Sequence, residues 1–226
     1  DWYRPSSDGE LVAAGISTGG EERSVIHVTR VDGTPLELLS PHGQWGEAEF
    51  EPGCTSFLYT AFPEGAFYGQ HVRRLRLGRP VAEDEVVFTP AEPTEMVEPV
   101  SVSAGGDWSS ICVARGWGEN SLWLARHGQP FREVFRGREE TVQAWFSGDR
   151  LVALTNAGAP NWRFVEIDPE NPSRERWKDL VAEAEHVLLD VAASSDRPPL
   201  QHLVHAASWV SVHDLPGPCI VIVHPP

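Results

Sequence analysis

Five times along this chain a small cluster of turn residues runs straight into a short apolar stretch, and that recurrence limits the fold more than any other feature. The pairs are Ser6-Ser7-Asp8-Gly9 before Leu11–Ile16, Glu51-Pro52-Gly53 before Thr55–Thr60, and Ala104-Gly105-Gly106-Asp107 before Ser110–Ala114. They continue as Ser147-Gly148-Asp149 before Leu151–Thr155 and Ser194-Ser195-Asp196 before Leu203–Ala207. Successive turns lie about 42 to 53 residues apart, the length of one four-stranded propeller blade. Each apolar stretch is followed by a second that ends in a turn: Val25–Val31, Val72–Leu77, Leu122–Ala125, Trp162–Ile167 and Val210–Leu215. A further short strand closes most units, as in Leu36–Leu39, Glu85–Phe88 and Phe131–Phe135.

The clearest unit runs from Val142 to Val181. Leu151–Thr155 is apolar throughout, as a strand buried on both faces would be. Asn156, Gly158 and Pro160 end it. Trp162–Ile167 is rich in strand formers and stops at Asp168-Pro169 and Asn171-Pro172, because proline offers no N–H to a ladder. Trp177–Val181 is short and mixed, like a solvent-facing edge strand. Val142–Phe146 precedes them through the Ser147-Gly148-Asp149 turn, which completes a four-stranded meander.

The pattern predicts an all-β fold: a β-propeller of four-stranded antiparallel blades, about five in number, forming one domain. That domain covers residues 1–226, with approximate blades at 1–45, 46–95, 96–140, 141–185 and 186–226. Leu180–His186 has some helical propensity, but the proline-bounded strands around it favour a loop or a single turn. One blade cannot cover its own faces, so neighbours bury them against each other and large aromatics fill the gaps between twisted sheets. Trp123, Trp145 and Trp162 are therefore expected in blade packing and not in ligand stacking.

Charge and cysteine usage exclude several functions. A net charge of -15 disfavours a nucleic-acid or anionic-membrane partner, since a phosphate backbone would be repelled. No apolar run reaches the roughly 18 residues of a membrane-spanning helix. Cys54, Cys112 and Cys219 are too few and too widely spaced for a disulfide framework or a zinc knuckle. They are read as reduced core thiols, and the expected location is cytoplasmic. The chain starts at Asp1 and its one methionine is Met96, so it is read as cut or processed.

Three apparent motifs need weighing. Gly15-Ile16-Ser17-Thr18-Gly19 matches G-x-S-x-G, in which the serine sits on a sharp turn between a strand and a helix. The following Glu21–Val31 is charged and then alternates as a strand, so a hairpin tip with small residues is the better reading. His202 and His205 fall on opposite faces of a strand, unlike the i, i+4 pairs that bind zinc on a helix; His213 and His224 lie nearby. No metal or other cofactor is expected. Glu21-Glu22, Glu83-Asp84-Glu85 and Glu139-Glu140 read as solvated strand ends, although paired carboxylates also serve propeller glycosidases.

Taken together, ordered segments along nearly the whole chain resemble the β-propeller domain of the prolyl oligopeptidase family of serine peptidases. Asp1-Trp2-Tyr3 with Pro5-Ser6-Ser7-Asp8-Gly9 resembles that family's entry into its second blade, and Phe57-Leu58-Tyr59-Thr60-Ala61-Phe62-Pro63 its Tyr-Thr-x-Tyr-Pro strand. Gln70-His71-Val72, Leu75-Arg76-Leu77-Gly78 and Glu83-Asp84-Glu85-Val86-Val87-Phe88 follow its next hairpin in order. Arg115-Gly116-Trp117 with Leu122-Trp123 resembles the blade after that. Thr155-Asn156, Ala159-Pro160-Asn161, Ile167-Asp168 and Trp177-Lys178-Asp179-Leu180-Val181 resemble the next. The C-terminal part departs: Arg197-Pro198-Pro199 interrupts the expected last-blade strand, and Cys219–Pro226 has no clear counterpart.

The resemblance implies part of a seven-bladed propeller that gates a separate α/β-hydrolase domain carrying the catalytic Ser, Asp and His. The gated substrates would be short peptides cleaved after proline. This chain shows no alternating strand–helix pattern and no nucleophile elbow, so it contains no catalytic residue of its own and should not hydrolyse peptides alone. The implied partners are the hydrolase domain of a longer parent protein and short proline-containing peptides. The implied peptide-facing positions are Leu58, Arg115 and Trp117; Arg115 agrees with the family, whereas Leu58 and Trp117 replace an aromatic residue and a cysteine. The alternative is a stand-alone propeller that binds a protein or peptide without chemistry. Blades cut from a larger ring leave open sheet edges. Reclosure into a tighter ring, an edge-strand homodimer, or a blade supplied by a partner would cover them, with Cys219–Val223 as the expected closing strand.

Overall fold

A computed structural model describes residues 2–19, 24–39, 48–116, 118–185, 187–188, 190–194, 209–214 and 219–224. Among these residues nineteen strands fall into five sheets. The first contains β1 (Trp2–Pro5), β2 (Leu11–Ser17), β3 (Ser24–Arg30) and β4 (Pro35–Leu39). The second contains β5 (Ala48–Phe50), β6 (Ser56–Ala61), β7 (His71–Arg76) and β8 (Glu85–Phe88). The third contains β9 (Met96–Val102), β10 (Trp108–Arg115), β11 (Glu119–Arg126) and β12 (Arg132–Arg136). The fourth contains β13 (Val142–Ser147), β14 (Arg150–Thr155), β15 (Arg163–Ile167) and β16 (Lys178–Val181). Each of these four is an antiparallel meander with strands in chain order.

The fifth sheet differs. It contains β17 (Asp190–Ser194), β18 (Trp209–Asp214) and β19 (Cys219–His224) in the order β17-β19-β18. The expected strand Leu203–Ala207 lies outside the described residues. The expected closing role of Cys219–Val223 is corrected here: β19 is the central strand and pairs with β17 on one side and β18 on the other. A strand with both ladders occupied has no edge left to close a ring.

The four regular sheets stand side by side. Their first strands touch in series, β1 with β5, β5 with β9 and β9 with β13, as the innermost strands of propeller blades do. Side-chain alternation then fills the seams. Along β6, Phe57 and Tyr59 pack toward the first blade with Leu11, Ala13 and Val28, while Leu58 packs toward the third with Val97, Ile111 and Val113. In β14, Leu151 and Ala153 meet Leu122 and Phe135 of the third blade, while Val152 and Leu154 meet Leu188 and Val191. This period of two explains the continuous apolar runs of β6 and β14: alternate residues face the packing on either side.

Trp123 packs edge-on against Phe88 at 5.2 Å, and its indole N–H donates to Ser121. Trp145 lies over Phe164, and Trp162 packs in the same seam. Two 3-10 turns, Val81–Glu83 and Arg174–Arg176, sit before β8 and β16. Val81 and Trp177 from these segments enter the seams facing the preceding blade.

The inner strands carry a second device. In an antiparallel pair, alternate residues direct both backbone groups away from the partner. In β13 these are Val142, Ala144 and Phe146, and side chains of the third blade meet them. Asn120 bonds both the N–H and the C=O of Val142, at 2.9 and 2.7 Å. The Cys112 sulfur accepts from the Ala144 N–H at 3.3 Å and its thiol donates to the Ala144 carbonyl at 3.8 Å. Ser101 Oγ accepts from the Phe146 N–H at 2.9 Å. Single tethers do the same elsewhere, from Arg4 Nε to the Ala48 carbonyl and from the Val97 N–H to Gln70 Oε1.

The turns joining first and second strands also meet one another, forming one rim of the array. Ser7 Oγ lies 3.5 Å from Cys54 Sγ. The Gly105 N–H donates to Asp149 at 2.6 Å, and the Ala104 N–H to the Gly148 carbonyl at 3.0 Å. Gly106 lets Pro52 come close: a Cβ there would stand 2.7 Å from the proline Cγ. The opposite rim carries the loops joining second to third strands and blade to blade.

Candidate functional site

The candidate residues separate once placed in the fold. Leu58 is fully buried between the second and third blades, against Val72, Phe88 and Ile111. It has no surface to offer a peptide, so its expected peptide-facing role is not realised here. The cause is the strand period: Leu58 lies mid-strand on a face covered by the next blade. Trp117 lies outside the described residues.

Arg115 is different. It ends β10 on the rim opposite the turn collar, with its side chain 45% exposed. Glu95, just before β9, is only 4% exposed and holds it. Glu95 Oε1 accepts from Arg115 Nε at 3.1 Å and from Nη2 at 2.6 Å. The Glu92 N–H donates to the other carboxylate oxygen at 3.1 Å, and the Glu95 N–H to the Glu92 carbonyl at 3.0 Å. Burial by itself would raise the Glu95 carboxyl, but the Glu92 N–H and the Arg115 guanidinium outweigh it and hold the pKa below the ordinary value. Arg136, bonded to Glu133, adds positive potential toward Glu95. Beyond those two bonds the guanidinium retains further N–H donors on this half-exposed side chain.

The other apparent motifs resolve into structure. Gly15, Ile16 and Ser17 lie in β2, and among the described residues the next element is β3, with no helix there to form a nucleophile elbow. Gly15 is there because the Trp2 indole packs on it: a Cβ would stand 2.3 Å from Trp2 Nε1. Asp84 accepts a hydrogen bond from the buried Tyr59 hydroxyl at 2.7 Å, and Glu85 pairs with Arg74. Burial and then the Asp84 carboxylate push the Tyr59 hydroxyl far above its ordinary pKa. Glu140 pairs with Arg174 at 2.7 Å. His202 and His205 lie outside the described residues, as do Glu21 and Glu22. Among the described residues no group of three or more His, Cys, Asp or Glu side chains is arranged to hold a metal ion, and no helix is long and apolar enough to cross a membrane.

Radial four-stranded sheets packed through paired seams, without a nucleophile or metal centre among the described residues, define the class: a β-propeller domain. Residues 1–224 match the family model of the prolyl oligopeptidase N-terminal β-propeller domain, and the chain belongs to that family. It is 27% identical over 203 residues to dipeptidyl aminopeptidase BI of Pseudoxanthomonas mexicana, covering 83% of this chain and 26% of that protein. It is 25% identical over 197 residues to prolyl endopeptidase of Elizabethkingia meningoseptica, covering 80% and 27% respectively. The chain thus spans about a quarter of the length of these curated relatives. A solved prolyl endopeptidase structure superposes with a TM-score of 0.76 at 27% identity, covering 85% of this chain and 30% of that one. Prolyl oligopeptidase B from Galerina marginata shares the fold, with a TM-score of 0.73 at 18% identity over 93% of this chain and 31% of the other.

Proposed function

We propose that this chain is the substrate-gating propeller of a prolyl-oligopeptidase-like serine peptidase. In this reading it restricts entry to short peptides and contributes Arg115 to their recognition, while an α/β-hydrolase domain elsewhere in the parent protein breaks the bond. The observation that carries the proposal is the family match over residues 1–224, combined with a rim that presents a fixed, solvent-facing guanidinium. A lid of this kind acts by exclusion: it keeps bulky substrates and bulk water from the reacting centre.

The test compares two preparations on a chromogenic peptide with proline before the scissile bond. The isolated chain should show no turnover. The parent protein should cleave it, and Arg115→Ala in that protein should raise KM more than it lowers kcat. A parent sequence that ends without a hydrolase domain, or a parent protein that binds proline peptides without cleaving them, would refute the gating role and favour the binding module.

A further inference from the structure

We infer that Glu95 is a positioning residue: it fixes the Arg115 guanidinium at the end of β10 and cancels its charge, so that the rim recognises a neutral acceptor, a peptide carbonyl, as readily as a carboxylate. The inference rests on the peptide-facing reading of Arg115 given above. Three observations support it. The Glu95 carboxylate is almost wholly buried, so it needs a counter-ion, and Arg115 bonds it through two nitrogens. The carboxylate cannot swing away, because its second oxygen is held by the Glu92 N–H in a turn that also bonds back from Glu95 to Glu92. The Arg115 side chain is 45% exposed while its Nε edge is bonded to Glu95, so the guanidinium retains further N–H donors in a planar fork of fixed orientation.

Charge balance sets the ligand preference. A bare arginine attracts a carboxylate through both Coulomb energy and bidentate geometry. With Glu95 in contact, the Coulomb part is largely cancelled, and what remains is directional donation, which a carbonyl oxygen satisfies equally well. The nearby Arg136 adds some positive potential toward Glu95, but its pairing with Glu133 offsets part of it.

The test uses the full chain, two probe peptides and arginine side-chain NMR. The probes are acetyl-Ala-Ala-Pro-Ala-amide and the same peptide with a free C-terminal carboxylate. In the unaltered chain both should shift the Arg115 Nε–H resonance, with similar affinity. Glu95→Gln keeps the shape and one acceptor but leaves the guanidinium charge uncompensated. It should raise affinity for the free acid over the amide by about two- to fivefold, the size expected of one half-exposed charge. Glu95→Asp should return the ratio toward that of the unaltered chain. An acid-to-amide ratio unchanged by Glu95→Gln overturns the inference, and so does an Arg115 resonance that neither peptide moves. A parent protein without peptidase activity would instead refute the gating role, and a ratio that changes as expected would still establish the part played by Glu95.

Discussion

A thiol at Cys112 does work that no apolar side chain of its size can do. Buried at the seam of the third and fourth blades, it takes the Ala144 N–H and gives to the Ala144 carbonyl. Cys112→Val should fill the space but leave both backbone groups without a partner, costing about 1–3 kcal/mol. Chemical denaturation would measure it, and Cys112→Ser, which keeps a hydroxyl donor and acceptor, should cost less. Gly106 is constrained twice, by a φ of 78° and by Pro52 against its α-carbon. Gly106→Ala should therefore lower the thermal midpoint more than Gly128→Ala, where φ is 72° but nothing stands within 4 Å. The first adds a clash to the roughly 1–2 kcal/mol of a left-handed alanine; the second carries that cost alone. Glu95, Glu140 and Glu166 are each held below the ordinary carboxyl value of 4.5, Glu95 by the Glu92 N–H and Arg115 against its burial, the others by their arginine partners. A depressed folded pKa means the stabilisation is fully present above about 4.5 and disappears as pH falls through the lower folded value. Stability measured by denaturant at successive pH values should accordingly be level above that point and fall below it, and the fall should be smaller in Glu166→Gln.

At the level of strands, the informative comparison is between those visible in the sequence and those that were not. Leu151–Thr155 and Val72–Leu77 stand out because apolar β-formers are bounded by glycine, asparagine and proline, and both are strands here. The inner strands β5 and β9 left almost no local signal. Ala48-Glu49-Phe50 is too short to show a period, and Met96–Val102 contains Pro99, which a reader would take as a strand breaker. Proline is tolerated there because β9 is an edge strand of its sheet. These strands owe their order to the preceding blade, through the side-chain caps on their outward backbone groups. Asn120→Ala should speed hydrogen exchange at the Val142 amide by removing both bonds of that cap, with little change at the Leu154 amide in β14. Equal effects at the two sites would mean that the cap acts only through global stability.

Across the whole molecule the seams are unequal. The third and fourth blades share a large apolar cluster, three side-chain caps and the paired turns at Gly105 and Asp149. The first blade has a buried face toward the second, but its other face is less well covered: Val12, Ala14, Val25 and His27 are half-buried, Ile16 is 46% exposed and Tyr3 is 76% exposed. Few buried contacts mean a low opening energy. Hydrogen exchange followed by mass spectrometry should show β2 and β3 exchanging well before β10 and β14, and proteolysis should begin in the first blade. Uniform protection would contradict this ranking.

Residue chemistry in the chain was enough to establish the middle strands, their alternation and their recurrence in units of about one blade's length. Those properties follow from covalent geometry and from neighbours a few positions away: a strand's side chains must alternate, and proline and glycine must interrupt it. The same reading reached Arg115 only through likeness to a family, and it put Leu58 on a surface where none exists. It had no means of finding Glu95, which lies 20 residues from Arg115 on a different strand connection. Which face of a strand is covered, which carboxylate meets which guanidinium and which side chain caps an edge depend on how one blade docks on the next. That docking is set by long-range packing of whole sheets, and no short window of sequence encodes it.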